Sequence, residues 1–285
     1  MSIAKPDICV RTFHTVRSLF KALRSTRCEN LFTALANRER GRELARYISH
    51  HHASSEWRTW SFFERTLYVQ FAPLFEGYAI NTIAYVGAHN GEKALALDKV
   101  FPGRVFYLFE PAPDTFKTLV ERTADLGNLH CSNYAAGDRS QALEMFMDDF
   151  SQANSLLAYE PLALEEFPYL GKQKKTTVKV ETLDALLRQQ GVTRVDLVII
   201  DTQGYEDKVL AGAGAILATC SVVVCEMNLK PLYAGSATFD SVYQKLNASG
   251  LTIAHILETI RGESQQILQL DCAFVRSHAG AAVKP

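Results

Sequence analysis

From Ile80 onward, short apolar runs alternate with amphipathic stretches. Ile80–Val86 and Val105–Phe109 read as strands flanking a helix over Glu92–Val100. A second helix, Asp114–Leu126, starts behind Pro113, a residue suited to a helix's first turn. Leu129–Tyr134 reads as a third strand. Leu143–Met147 and Thr176–Thr182 alternate with period two around a polar, helix-breaking stretch, which predicts a β-hairpin insertion. Leu183–Gln190 reads as a helix stopped by Gly191. Val195–Ile200 reads as a β-branched run, the mark of a strand buried on both faces. After it come helix Tyr205–Leu217, strand Val222–Glu226 and helix Phe239–Ser249, closed by Gly250. Strands Leu251–Leu257 and Gln266–Val275 end the pattern. Such alternation predicts an α/β fold, a mostly parallel sheet with helices on both faces. The last two strands have no helix between them, so the final one is expected to run antiparallel.

Residues 1–75 have a different character, and the boundary is placed there: a helical N-terminal extension over 1–75 and one domain over 76–285. Phe13, Val16, Leu19, Phe20 and Leu23 share one helical face, with Arg11, Arg17, Lys21 and Arg24 elsewhere. This apolar face is read as covering the body of the protein or a second copy, making the helices a candidate homodimer face, ahead of a membrane-surface or partner helix. His50-His51-His52 reads as a solvated stretch, since adjacent helical residues do not face one metal ligand. Trp57, Trp60, Phe62, Phe63, Tyr68 and Phe71 lie among charges of both signs, which favours a core and argues against nucleic acid as a partner.

Composition narrows the class further. Residues 1–70 carry 12 Lys/Arg and 6 Asp/Glu, and the rest carries 18 and 25, so a net charge of −1 conceals a basic arm on an acidic body. An apolar share of 47% and a charged share of 21% are those of a soluble globular protein. No run is long enough for a transmembrane segment, and no apolar leader opens the sequence. Six scattered cysteines without a C-x-x-C pair imply reduced thiols, no structural zinc and a cytoplasmic setting.

The first strand ends in Gly87-Ala88-His89-Asn90-Gly91, and the second in Glu110-Pro111, with Glu110 19 residues after Gly91. Strand, glycine turn, helix, strand and acid form the plan of a nucleoside-binding βαβ unit, in which the acid accepts hydrogen bonds from two ribose hydroxyls. The middle glycine of the dinucleotide fingerprint is missing, which removes the room made for a pyrophosphate. A ligand with ribose and adenine but no pyrophosphate fits better, and S-adenosylmethionine is the common one. The same gap, with no evident Tyr-x-x-x-Lys pair, weighs against a nicotinamide-dependent reductase.

Four strand tips carry polar motifs: Gly87–Gly91, Glu110-Pro111, Asp201–Glu206 and Glu226-Met227-Asn228. Ligands in open α/β sheets bind beyond the carboxyl ends of the strands, so one pocket collects all four. Asp201-Thr202-Gln203-Gly204-Tyr205-Glu206, followed by Val209-Leu210-Ala211-Gly212-Ala213, resembles the signature of the FkbM-type S-adenosylmethionine-dependent methyltransferases. Val86–Gly91, Phe109-Glu110-Pro111, Asn154-Ser155-Leu156 and Glu181–Asp184 are similar to further family blocks, in order, and the likeness runs from about Asn81 to Val275. It implies a seven-stranded Rossmann-like methyltransferase fold. It also implies methyl transfer to a hydroxyl, often on a sugar or secondary metabolite, so a small molecule or glycan is the expected acceptor. The chain departs from the family at Tyr85, His89, Ile199 and Gln203, where an acid, Asn, Lys and Glu are common.

A sulfonium methyl is already activated, so alignment of the attacking oxygen is the main task, helped by a general base. Asp201 is the first candidate base and His89 the second, with Glu226 beside them as a further candidate catalytic acid or base. The candidate cofactor-binding set is Tyr85, Gly87, Ala88, Asn90, Gly91, Glu110, Pro111, Ala135, Asp138, Asp201 and Gln203, with Asp138 reaching for the adenine amino group. Oxygen ligands from Asp201, Glu226 and Asn228 suit Mg²⁺, but a single base with hydrogen-bonding neighbours is preferred and no metal is assigned. The competing reading is a non-catalytic adaptor, in which a methyltransferase-like body presents the basic arm to a partner or membrane.

Overall fold

The computed structural model describes residues 59–276. The amphipathic face at Phe13–Leu23, the three histidines at 50–52, Cys9 and Cys28 lie outside the described residues. The chain divides into two units between Val69 and Gln70, and the sheet and its site belong to the second.

The first described helix, α1 (Phe62–Gly77), runs on through Pro73. Strand β1 (Thr82–Val86), helix α2 (Glu92–Val100), strand β2 (Val105–Phe109), helix α3 (Pro113–Thr123) and strand β3 (Leu129–Ser132) then follow the predicted pattern within a few residues. Short β4 (Ala135–Ala136) and β5 (Gln141–Met147) come next, and a loop with helix α4 (Pro161–Glu166) leads to β6 (Lys174–Glu181). These three strands form a small separate sheet, order β4-β6-β5, with β5 and β6 antiparallel. The expected hairpin is therefore present, gaining β4 as a parallel neighbour.

The main sheet is completed by β7 (Leu197–Ile200), β8 (Val222–Asn228), β9 (Leu251–Arg261) and β10 (Ile267–Arg276), in the order β3-β2-β1-β7-β8-β10-β9. Its pairs are parallel except those of β10, which runs antiparallel to both β8 and β9. Every residue of β7 and β8 is buried, as the apolar runs Leu197–Ile200 and Val222–Cys225 require of central strands covered on both sides, and Glu226 and Asn228 are buried polar residues at the end of β8. Helices α5 (Leu183–Gln189), α6 (Glu206–Ala211), α7 (Gly214–Leu217) and α8 (Phe239–Ala248) complete the fold. Thr182 caps α5 by accepting the Ala185 amide, and Thr238 with Ser241 forms a capping box on α8. Cys220, Cys225 and Cys272 are buried free thiols, and Cys131 is half-buried. Among the described residues no helix is long and apolar enough to cross a membrane.

The single helix expected over Tyr205–Leu217 is two helices, α6 and α7. The reason is tertiary. The Gly212 backbone lies against the Gly137 carbonyl so closely that a Cβ would sit 1.9 Å from its oxygen. Asp184 then caps the restarted helix, its two oxygens accepting the Ala215 and Ile216 amides at 2.8 and 3.0 Å. Gly212→Ala is expected to cost about 3 kcal/mol, as overpacking against rigid backbone does, or roughly 6–12 °C in Tm for a domain of this size. Gly214→Ala, with nothing within 4 Å, is expected to leave Tm unchanged or raise it. Thermal unfolding of the two variants side by side checks both.

Candidate active site

The turn after β1 is bonded to the tip of β2. Gly87 and Ala88 both donate their amides to the Phe109 carbonyl, each at 3.0 Å. Gly87 adopts φ +81°, and a Cβ there would lie 1.8 Å from the Asp201 carbonyl oxygen, so only glycine lets β1 and β7 close together at this point. Gly91, at φ +80°, starts α2, and the Asn90 side chain accepts the Glu92 amide.

This turn surrounds Glu110. Its Oε2 accepts the His89 amide and its Oε1 the Ala112 amide, both at 2.9 Å. Asn133 fixes the neighbouring backbone by donating to the Glu110 and Pro111 carbonyls. The side chain is 5% exposed, and burial, opposed by the two amides and aided by Asp201, raises its pKa to about 7. Each carboxylate oxygen keeps a lone pair after these bonds. Paired acceptors of this kind fit a cis-diol.

The second cluster is on β7, β8 and β10. Gln203, in the left-handed region at φ 54°, bridges two acids: its Nε2 donates to Asp201 Oδ1 at 2.9 Å and Glu226 Oε2 at 3.1 Å. Its Oε1 accepts the Tyr233 hydroxyl at 2.8 Å, and its backbone carbonyl accepts Ser155 Oγ at 2.8 Å. Gln269 donates from Nε2 to Glu226 Oε1 at 2.6 Å and to Asn228 Oδ1 at 3.2 Å. Burial, then the nearby Asp201, Glu206 and Asp271, hold Glu226 well above the ordinary carboxyl range. Lys93 of α2 lies 3.9 Å from Asp201 Oδ2 and 3.6 Å from Asp271 Oδ2. Burial works to lower its pKa, and the surrounding Tyr85, Asp271 and Asp201 outweigh it and raise it. Asp201 is thus held from two sides, by an amide and by an ammonium.

Glu206 closes the Asp201 motif as a structural acid. It is fully buried, and its Oε1 accepts the Thr202 amide, the Thr202 hydroxyl and the Gly204 amide. These bonds fold the turn that presents Gln203. Burial outweighs them and raises the Glu206 pKa to about 7.

His89 contributes its backbone amide to Glu110, while its ring Nε2 is 2.8 Å from Ser151 Oγ and burial lowers its pKa. Tyr85 is buried on β1, directly opposite Ile199 of β7, so two of the departures from the family pattern form one cross-strand pair. Lys93 lies 6.0 Å over the Tyr85 ring. Ala135 is buried in β4. Asp138 turns one oxygen to Lys208, at 2.9 Å, and that bond lowers its pKa. Its Oδ1 has no partner among the described residues. Among those residues no group of three His, Cys, Asp or Glu side chains is arranged to hold a metal ion. The facing atoms of Asp201, Glu226 and Asn228 are instead joined by the Gln203 and Gln269 amides.

A cavity of about 210 Å³ is lined by Gln203, Glu226, Tyr233 and Gln269 of this cluster together with Phe150, Phe167 and Tyr169. Lys93, Tyr233, Gln269 and Asp271 were not among the residues expected from sequence. For Gln269 and Asp271 a signal existed: two polar residues, two apart, interrupt the apolar run Ile267–Val275, and alternate residues of a strand share a face.

The methyltransferase FkbM domain model matches residues 86–253. 2-O-methyltransferase NoeI of Sinorhizobium fredii (strain NBRC 101917 / NGR234) is 20% identical over 167 residues, covering 56% of this chain and 69% of that protein. Among solved structures, Aeropyrum pernix fibrillarin in complex with natively bound S-adenosyl-L-methionine superposes at TM-score 0.41 with 14% identity, covering 68% of this chain and 66% of that one. N-methyltransferase NodS from Bradyrhizobium japonicum WM9 superposes at TM-score 0.44 with 11% identity, covering 76% and 97%. With the family model spanning more than half of the sequence, the chain belongs to the FkbM methyltransferase family.

Proposed function

We propose that this methyltransferase uses S-adenosylmethionine to methylate a hydroxyl of a sugar or secondary metabolite. The observation that carries the cofactor assignment is the Glu110 carboxylate. It is buried at the tip of β2 against the glycine turn, with one acceptor position left on each oxygen. Glu110 accepts the two ribose hydroxyls, Gly87–Gly91 and Tyr85 flank the methionine end, and Pro111, Ala135 and Asp138 lie toward the base. When bound, S-adenosylmethionine supplies a methyl group activated on a sulfonium sulfur.

The chain's own part is to bind, orient and deprotonate the acceptor. Asp201 is the base, its Oδ1 anchored by Gln203 and its Oδ2 facing Lys93. Holding the carboxylate between an amide and an ammonium fixes its direction before the acceptor arrives. His89 is tied to Ser151 and positions Glu110 through its backbone. Transfer to oxygen is supported by the 2-O-methyltransferase among the relatives and by the uncharged amides beside Asp201.

Methyl-tritiated S-adenosylmethionine with a panel of glycosides and phenols tests the reading. Label is expected in an ether linkage that resists mild base. Label released by base as methanol, found on nitrogen, or not transferred to any hydroxyl compound would contradict it.

A further inference from the structure

The cavity beside Gln203 has a donor and acceptor balance that restricts what can enter it. Both N–H groups of Gln203 Nε2 are given to Asp201 and Glu226, and both of Gln269 Nε2 to Glu226 and Asn228. The Tyr233 hydroxyl hydrogen is given to Gln203 Oε1. The polar capacity left on this wall is therefore on oxygens: the Gln269 carbonyl and the spare lone pairs of Glu226. The other donors on the lining, the Gln152 amide and the Tyr169 hydroxyl, are on exposed residues, so a ligand group seated against this inner wall must bring donors of its own, which a hydroxyl does and a carboxylate or phosphate does not. Among the described residues no Lys or Arg lines the cavity. The nearest cation of the cluster, Lys93, is already shared between Asp201 and Asp271. Even a protonated Glu226 offers a single donor against the several lone pairs of an anionic group.

Size and lip add to this. At about 210 Å³ the cavity falls below the ~300–1,000 Å³ of sites that enclose a whole drug-sized ligand. One small ring is what it holds. Phe150 and Tyr169 line it yet are 41% and 61% exposed, and their rings meet edge-on at 5.0 Å. Aromatic side chains left this open beside a polar pocket provide a flat apolar surface on which a further unit can lie.

We propose that this cavity is an end-on acceptor site. It takes one uncharged, hydroxyl-bearing terminal ring, carries the adjoining unit of the molecule across Phe150 and Tyr169, and turns away acceptors that are anionic at that ring. The proposal rests on the methyltransferase reading above and deepens it from "a hydroxyl compound" to a charge and size class, with Gln203, Glu226 and Gln269 as specificity-determining residues.

Saturation-transfer NMR on the full chain tests it, at pH 7.5 with S-adenosylhomocysteine present. The probes are methyl and 4-nitrophenyl gluco-, galacto- and mannopyranosides, each beside its 6-carboxylate. At least one neutral glycoside is expected to bind, with its 6-carboxylate about tenfold weaker or worse. The nitrophenyl form should bind several-fold more tightly than the methyl form, and Phe150→Ala should remove that gain while sparing the methyl glycoside. Ile260→Lys, which adds a cation to the half-buried wall, should narrow the gap between neutral and anionic probes to about threefold or less. Equal or tighter binding of the carboxylate by the wild type, or no binding of any neutral glycoside while S-adenosylhomocysteine binds, would overturn the proposal. Absence of S-adenosylhomocysteine binding itself would instead strike the cofactor assignment.

Discussion

Replacing Glu110 by alanine is expected to weaken S-adenosylhomocysteine binding by about 100-fold or more. Two hydroxyl donors on one carboxylate make charge-assisted bonds worth about 1.5–3 kcal/mol each, and a loss near 3 kcal/mol corresponds to about two orders of magnitude in Kd. The substitution also frees the His89 and Ala112 amides, which now hold the turn onto the acid, so part of the loss is lost preorganisation. The pH dependence separates the two parts. Burial raises the Glu110 pKa to about 7 in the free protein. Below that pH a proton must leave before both oxygens can accept hydroxyls. Affinity is therefore expected to fall toward tenfold per pH unit as pH drops below 7, and to level off above it. The alanine variant should show a flat profile across the same window. Calorimetric titration of both proteins from pH 5.5 to 8.5 reads the two effects together.

Asp201→Asn is expected to act on turnover and leave cofactor binding alone. The side chain keeps its shape, and its oxygen can still accept the Gln203 amide that now bonds Oδ1, but it can no longer take a proton. General-base contributions run to about 10²–10⁴ in rate, so kcat should fall by that range with S-adenosylhomocysteine affinity within about threefold of wild type. Single-turnover transfer of labelled methyl, at saturating cofactor, measures it. An Asp201→Asn enzyme that turns over like wild type would remove Asp201 from the role of base and leave it as a partner of Lys93.

The parts of this molecule that depend on local pattern were legible in its sequence, and those that depend on distant contacts were not. Val198–Ile200 and Val222–Val224 declare buried strands because no polar residue interrupts them. Gly87 and Gly91 mark a turn because its left-handed backbone excludes other residues at little strain. The break at Gly212 depends on a carbonyl 75 positions earlier, and nothing in its own window announces it. The site divided along the same line. Glu110, Asp201, Gln203 and Glu226 stand where strands end, a place a periodicity argument can find. Lys93 enters from the first turn of a helix and Tyr233 from a loop, and only the fold brings them to Asp201 and Gln203. The role of Asn154-Ser155-Leu156 was equally hidden: Ser155 crosses from the insertion to hold the Gln203 carbonyl, which ties the small sheet's loop to the acid cluster.

On this reading the rim of the sheet holds an adenosyl group through the carboxylate at the end of β2. A crystal structure with S-adenosylhomocysteine tests it most directly. Both ribose hydroxyls are expected within about 3 Å of the two Glu110 oxygens, with the sulfur on the side of Asp201. A ribose bound elsewhere, or a Glu110 side chain that keeps only its His89 and Ala112 partners while the ligand is present, would contradict it.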